Sequence, residues 1–336
     1  MSEIKPFTGV DDRVRLADAI PLKAPFTLYI YPSDVCNFRC NYCAQSLGRK
    51  GMMEHYGVGN SMMTVETAEI VAQQSKDFHQ KYKLISIVGF GEPLCNKQLP
   101  EIIKVFKDAD IAERIDIITN GSLLTNELTD RLLDSGLDVL RVSLQGINSE
   151  AYKRICGVDI DFNEFYNRLS YFYEKAAGKC KVYVKIADVA LSHGEEEKFY
   201  NMFEGITDRM YIEKIKPVYD MIDYSETQKD MTTDRRGVRH EQRKVCPQPF
   251  YVLNILADGE VIPCTALYKP IMLGNVKKNS LRDMWEGKLL RDFRLTMLNG
   301  GRFTFHGCKR CCAPDDCAHP EDVLDDDIEK IVSLLD

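Results

Sequence analysis

Short runs of apolar, β-branched residues recur along the first two thirds of the chain. Between them lie longer stretches in which apolar positions return every three or four residues. The short runs are 27–33 (TLYIYPS), 83–90 (KLISIVGF), 114–120 (RIDIITN), 139–145 (VLRVSLQ), 181–189 (KVYVKIADV) and 209–218 (RMYIEKIKPV). Each reads as a strand buried on both faces. The longer stretches, 65–82, 99–112, 125–136 and 162–177, carry helical period, with Thr125 and Leu128 opening one helix and Gly136 and Gly178 as stops. Alternating strands and helices imply a parallel sheet with right-handed crossovers. Six units are too few for a closed eightfold barrel, so the expected fold is α/β, an open, partial (β/α)6 TIM-like barrel.

The alternation stops after Val218. Residues 219–245 are polar, with little periodicity, and read as a linker or a loop on the substrate side. In 251–264 (YVLNILADGEVIPC) two short strands flank Asp258-Gly259, a hairpin signal. A helix is expected over 281–298, a cysteine-dense loop over 308–317 and an acidic helix over 321–335. The expected division is an N-terminal extension 1–24, a barrel 25–218, a linker 219–245, a small cysteine-bearing domain 246–318 and a C-terminal helix 319–336.

Composition narrows the classes. The chain has 336 residues, 44% hydrophobic and 28% charged, so it can bury a large core. Lys and Arg number 44 against 51 Asp and Glu, a net charge of −7, which argues against broad binding to nucleic acid or an anionic membrane. No apolar window reaches the roughly 18 residues of a membrane span, and residues 1–10 hold no apolar signal core. The expectation is a cytoplasmic protein, in which the 12 cysteines are metal ligands or catalytic thiols rather than disulfides.

The first cysteine group is Cys36-Asn-Phe-Arg-Cys40-Asn-Tyr-Cys43, directly after the first strand, at the end where barrel chemistry sits. Three thiolates on one loop suit three irons of a 4Fe-4S cluster and leave the fourth iron open to a substrate or cosubstrate. A structural zinc site is the alternative, but zinc usually takes paired knuckles or paired His. This C-x3-C-x2-C resembles the radical S-adenosylmethionine (SAM) superfamily, whose motifs then recur in order at strand ends. Gly89-Phe90-Gly91-Glu92-Pro93 resembles the family's GGEP element, with Phe90 separating the first two glycines. Thr119-Asn120-Gly121 resembles its TNG element, and Ser143-Leu-Gln145 its serine strand. The resemblance covers about 25–218. It implies that Cys36, Cys40 and Cys43 hold the catalytic cluster and that the Tyr42 ring lies on adenine. It also implies that Gly89, Gly91, Glu92 and Pro93 receive the methionine amino group, with Asn120, Ser143 and Arg154 as further SAM contacts.

The second group is Cys246-x17-Cys264, then Cys308-x2-Cys311-x5-Cys317. It resembles the SPASM auxiliary-cluster region, but Glu321 stands where the next cysteine belongs and no later cysteine follows. The shortened form, twitch, holds one cluster. Likeness to the butirosin aminocyclitol dehydrogenase group assigns Cys246, Cys264, Cys308 and Cys311 as ligands of one auxiliary 4Fe-4S cluster, with Cys317 as an alternative. Cys95, Cys156 and Cys180 read as inert buried thiols. Any of these, or Cys312 or Cys317, is a candidate hydrogen-atom donor. Arg235, Arg236, Arg239, His240, Arg243 and Lys244 crowd the segment before Cys246. They read as a solvated helix face, with phosphate or carboxylate binding as the alternative.

The resemblance implies an enzyme that cleaves SAM reductively to a 5′-deoxyadenosyl radical and takes a hydrogen atom from a substrate C–H. Oxidation or epimerisation of a sugar or aminocyclitol-like molecule is the expected outcome, with electrons from a flavodoxin or ferredoxin. The alternative is modification of a peptide by crosslink, thioether or epimerisation. That reading is weakened because about 24 residues precede the first expected strand, too few for a winged-helix peptide-binding domain.

Overall fold

The computed structural model describes residues 2–7, 12–225 and 232–335. Part of the expected 219–245 linker therefore lies outside the described residues. The strands are β1 (Glu3–Ile4), β2 (Thr27–Ile30), β3 (Leu84–Ile87), β4 (Ile115–Thr119), β5 (Val139–Leu144), β6 (Lys181–Ala187), β7 (Arg209–Glu213), β8 (Val252–Ile255), β9 (Glu260–Ile262) and β10 (Gly274–Asn275). They form one ten-stranded sheet in the order β1-β7-β6-β5-β4-β3-β2-β8-β9-β10. All six strands expected for the barrel are present, joined by crossover helices, and β1 and β10 do not pair, so the barrel is open. Thr125 caps its helix by accepting Leu128 N–H at 3.0 Å, and Gly136 takes a left-handed φ of +84° where the chain turns into β5.

The sheet is wider than the six expected units. The two-residue β1 pairs in parallel with β7, and β8 pairs in parallel with β2, Leu28 opposite Leu253 and Ile30 opposite Ile255. The hairpin expected around Asp258-Gly259 is formed, but its first strand continues the barrel sheet. The C-terminal cysteine region is thereby hydrogen-bonded onto β2, the strand that feeds the Cys36 loop. Two other expectations change. The 281–298 helix is two helices, Leu281–Glu286 and Lys288–Leu298, broken at Gly287. The acidic C-terminal helix begins only at Ile328. Asp325 is drawn into accepting the amides of Lys244 and Val245 at 2.8 and 3.0 Å, and Asp322 receives Arg13.

The strands are also not apolar on both faces. Outward positions Leu28, Ile85, Ile87, Ile117, Leu140, Val142, Val182, Val184 and Met210 are buried in one core under the helices. Alternate positions include Tyr29, Ser86, Asp116, Arg141, Ser143, Lys185, Tyr211 and Glu213. Alternation along a strand puts them on the other face, and five of them, Tyr29, Arg141, Lys185, Tyr211 and Glu213, line a cavity inside the barrel.

Candidate active site

The loop between β2 and the following helical turn carries Cys36, Cys40 and Cys43. It is pinned by backbone. Ser33 C=O accepts Gly91 N–H at 3.2 Å and Val35 C=O accepts Glu92 N–H at 2.9 Å. This contact requires glycine: a Cβ on Gly91 would lie 2.6 Å from the carbonyl carbons of both Asp34 and Val35. On the other side Arg39 and Asn41 donate their amides to the carbonyls of Cys156 and Ile155 at 3.2 and 2.8 Å. Phe38 is buried against the edge of Tyr152. Gln45 donates to the carbonyls of Asp34 and Phe90 at 3.1 and 2.6 Å, so one side chain ties the far end of the loop to the glycine turn.

Glu92 is the brace of this end of the barrel. Its Oε1 accepts Leu94 N–H at 2.9 Å and the Thr119 hydroxyl at 2.5 Å, and its Oε2 accepts Asn120 N–H at 2.8 Å. Burial pushes its carboxyl pKa up, and these donors partly offset that. Asn120 in turn donates to Asn37 Oδ1 at 2.9 Å, and Asn37 donates to the Ser122 hydroxyl at 2.8 Å. The Gly89–Pro93 turn, the 119–121 turn and the cysteine loop are therefore one hydrogen-bonded unit. Tyr42 donates its hydroxyl to Gln145, whose side chain also reaches Ser143 C=O at 3.2 Å. Arg154 stands apart: it is exposed on helix Ser149–Cys156 and reaches Val189 C=O at 3.5 Å.

The donor chemistry of the loop fits an iron–sulfur cluster. Phe38 N–H points at Cys36 Sγ at 3.4 Å, the kind of amide–sulfur bond that tunes such clusters. As bare thiols, Cys36 and Cys43 are pushed up to about 12 by burial, and Cys40 is raised by its hydrogen bond with Cys156 and by burial. Bound iron would reverse that balance by holding the thiolates. Among the described residues no three Cys, His, Asp or Glu side chains converge as a single bare ion would require.

The second set gathers around Cys264. Cys264 is buried and feels the charges of Cys246, Cys311 and Cys308. Cys246 likewise feels Cys311 and Cys308. Burial pushes Cys311 up to about 11. Cys317 lies beside Cys311 and Cys312 and accepts from Arg235 Nη1 at 3.5 Å.

The basic segment before Cys246 is not a helix face. Arg235 donates to Glu213 through Nε at 2.8 Å and through Nη2, and Arg236 donates to the carbonyls of Cys317, at 3.0 Å, and Ala318. The segment is a strap that latches the Cys317 loop to the barrel mouth. Sequence reading missed Glu213 and Lys185, which sit at alternating positions of β7 and β6, and it gave Gln145 no role. A cavity of about 510 Å³ is lined by Tyr42, Cys43, Gly89 and Phe90 and also by Cys311 and Cys317, so members of both cysteine groups face it.

An open parallel barrel with a strand-end thiol triple, joined to a second thiol set, defines a cluster-bearing enzyme class. Residues 30–186 match the model of the radical SAM superfamily, and residues 246–312 match the SPASM iron–sulfur cluster-binding domain. The chain thus carries a radical SAM domain and a SPASM domain; the two domains imply a SAM-binding 4Fe-4S cluster and an auxiliary iron–sulfur cluster. A probable GTP 3′,8-cyclase of Methanocaldococcus jannaschii is 40% identical over 129 residues, 38% of this chain and 39% of the relative. The FeMo cofactor biosynthesis protein NifB of the same organism is 24% identical over 226 residues, 63% of this chain and 74% of the relative. The chain thus spans about two fifths of the length of the cyclase it matches. Among solved structures, Streptococcus suis SuiB bound to precursor peptide SuiA has a TM-score of 0.64 at 18% identity, covering 91% of this chain and 76% of that one. BtrN in complex with AdoMet and 2-DOIA has a TM-score of 0.54 at 18% identity, covering 85% and 92%. At these identities the likeness shows the fold. Among the described residues no helix is long and apolar enough to cross a membrane.

Proposed function

We propose that the protein cleaves SAM reductively and abstracts a hydrogen atom from a small molecule held in the barrel, leading to oxidation or epimerisation. The observation that carries this reading is the cavity of about 510 Å³ whose wall holds Cys43 of the first cysteine group and Cys311 and Cys317 of the second. That volume suits a small molecule, and a substrate there meets thiols of both groups. Cys36, Cys40 and Cys43 would hold the SAM-binding 4Fe-4S cluster. Cys246, Cys264, Cys308 and Cys311 hold one auxiliary cluster of the twitch type. When bound, the cluster and SAM supply a one-electron cleavage that yields a hydrogen-abstracting group. The chain supplies position: the Gly89–Pro93 turn and Ser143 orient SAM, Tyr42 covers its adenine, and the strap closes the mouth against water. A flavodoxin or ferredoxin delivers the electron.

The test is incubation of the reduced, iron-loaded protein with SAM and a panel of deuterated sugars, cyclitols and peptides, followed by mass spectrometry of the 5′-deoxyadenosine. Deuterium transferred from a small molecule is the expected result. Transfer from peptides alone overturns the small-molecule reading.

A further inference from the structure

The lumen of the sheet is unusually charged. Arg141 on β5, Lys185 on β6 and Glu213 on β7 face the cavity, and Arg235 reaches it from the strap. Glu213 Oε2 accepts Lys185 Nζ at 2.5 Å, while its Oε1 accepts Arg235 Nε and the Tyr211 hydroxyl, each at 2.8 Å. Arg141 Nη1 donates to Asp116 Oδ2 at 3.2 Å, and Asp116 Oδ1 accepts the Ser86 hydroxyl at 2.6 Å. Arg114 Nη2 lies 4.0 Å from the same Asp116 Oδ2, so four cations here meet two carboxylates. At the mouth Arg13 pairs with Asp322 and lies 3.7 Å from Glu321, and Arg236 pairs with Asp234. Among these residues one positive charge is left over, in a chain whose net charge is −7.

The leftover charge is in poor contact with water. The Lys185 and Arg141 side chains are 15% and 14% exposed, and an unmatched cation at such a site is costly. Burial lowers the pKa of Lys185, and Glu213 only partly offsets this. The Lys185 ammonium has three N–H groups, of which Glu213 takes one. Arg141 Nε is buried without a hydrogen-bond partner. Phe7, Tyr29 and Tyr211 wall the same space, so a ligand here exchanges water for aromatic faces and fixed donors.

We propose that the substrate carries an anionic oxygen group, a carboxylate or a phosphate, received by Lys185 with Arg141 as the second cation. This rests on the reading of the cavity as the substrate site and narrows the substrate class. It turns the choice away from amino sugars and aminocyclitols, whose ammonium would add a like charge to a site already one cation in excess. A carboxylate or phosphate would complete the pairing that Glu213 and Asp116 begin.

The experiment is anaerobic equilibrium dialysis of the iron-loaded protein with labelled inorganic phosphate and, separately, labelled acetate. Glucosamine serves as a cationic competitor. At least one anion is expected to bind one per chain, and which one binds distinguishes phosphate from carboxylate. Lys185→Gln should weaken it about tenfold or more, as loss of a charged hydrogen bond does. Lys185→Arg should keep most of the affinity, and glucosamine should not compete. Iron content and circular dichroism check that the variants fold; should Lys185→Gln lose iron, Arg141→Gln carries the same comparison. Binding of neither anion, or binding unaffected in the folded Gln variant, overturns the inference. Formation of 5′-deoxyadenosine by the wild-type preparation is followed in parallel. Its absence would sink the radical reading, whereas its presence without anion binding would sink this inference alone.

Discussion

Glu92→Gln alters one atom of the brace that joins the glycine turn to the end of β4. The carboxylate serves three donors, Leu94 N–H and the Thr119 hydroxyl on one oxygen and Asn120 N–H on the other. Glutamine offers one acceptor. Turned to keep the first two donors, it presents its own NH2 group to Asn120 N–H, donor against donor, at a position 3% exposed. Losing a hydrogen bond to a charged acceptor costs about 1.5–3 kcal/mol, and a buried unmet donor adds to that. Against this, glutamine avoids the burial cost that raises the Glu92 pKa. The net loss comes to about 1–3 kcal/mol, concentrated in the two turns. Amide hydrogen exchange read by mass spectrometry should therefore quicken roughly 5- to 150-fold in peptides spanning 89–96 and 114–124. SAM affinity, measured by dialysis, should fall with it if those turns position the cosubstrate as we propose. Unchanged exchange in both peptides, with SAM binding within about twofold of wild type, would refute the reasoning.

Further predictions follow from the same contacts. Gly91→Ala places a methyl group against backbone of the cysteine loop and should cost about 1–3 kcal/mol, seen as a lower Tm and less iron retained after reconstitution. Arg235→Met removes the Nε and Nη2 bonds to Glu213, which keeps Lys185 and the Tyr211 hydroxyl, and should cost about 1.5–3 kcal/mol, read as a lower Tm. Burial raises the pKa of Glu213, but Arg235 and Lys185 outweigh it and hold the carboxyl well below the ordinary glutamate range. Its contribution is thus present above the unfolded glutamate pKa and is lost as pH falls toward the folded value. The Tm of wild type should fall more steeply below about pH 4.5 than that of Glu213→Gln. Cys264→Ala should remove the iron of the auxiliary cluster while Cys317→Ala leaves it; the opposite pattern in an iron assay would place Cys317 among the ligands.

Local chemistry was legible in the sequence wherever neighbours in the chain are neighbours in space. The cysteine loop, the Gly89–Pro93 turn and the 119–121 turn each close a strand, so strand ends and motif order were enough to bring them together. What stayed hidden depends on contacts far along the chain. The strap around Arg235 has no periodicity, and its partner Glu213 lies 22 positions earlier. Helix propensity over 321–327 yields to Asp325, which is needed by amides 80 positions away. A strand of two residues, β1, is too short for any periodic signal. The charged lumen is a different case. Arg141, Lys185 and Glu213 sit at alternating positions of strands read as uniformly apolar, and stricter attention to the two-residue period would have found them. Arg154, taken as a SAM contact from resemblance alone, lies on the solvent side of its helix, 3.5 Å from Val189 C=O.

Whether this chain does radical chemistry through its strand-end cysteines is settled by 5′-deoxyadenosine. Iron- and sulfide-reconstituted protein is incubated anaerobically with SAM and dithionite beside a variant carrying Cys36→Ala, Cys40→Ala and Cys43→Ala. The account predicts 5′-deoxyadenosine from the wild type and none from the variant, which should still retain the iron of its auxiliary cluster. Equal product from both, or a wild-type protein that takes up no iron, would contradict it.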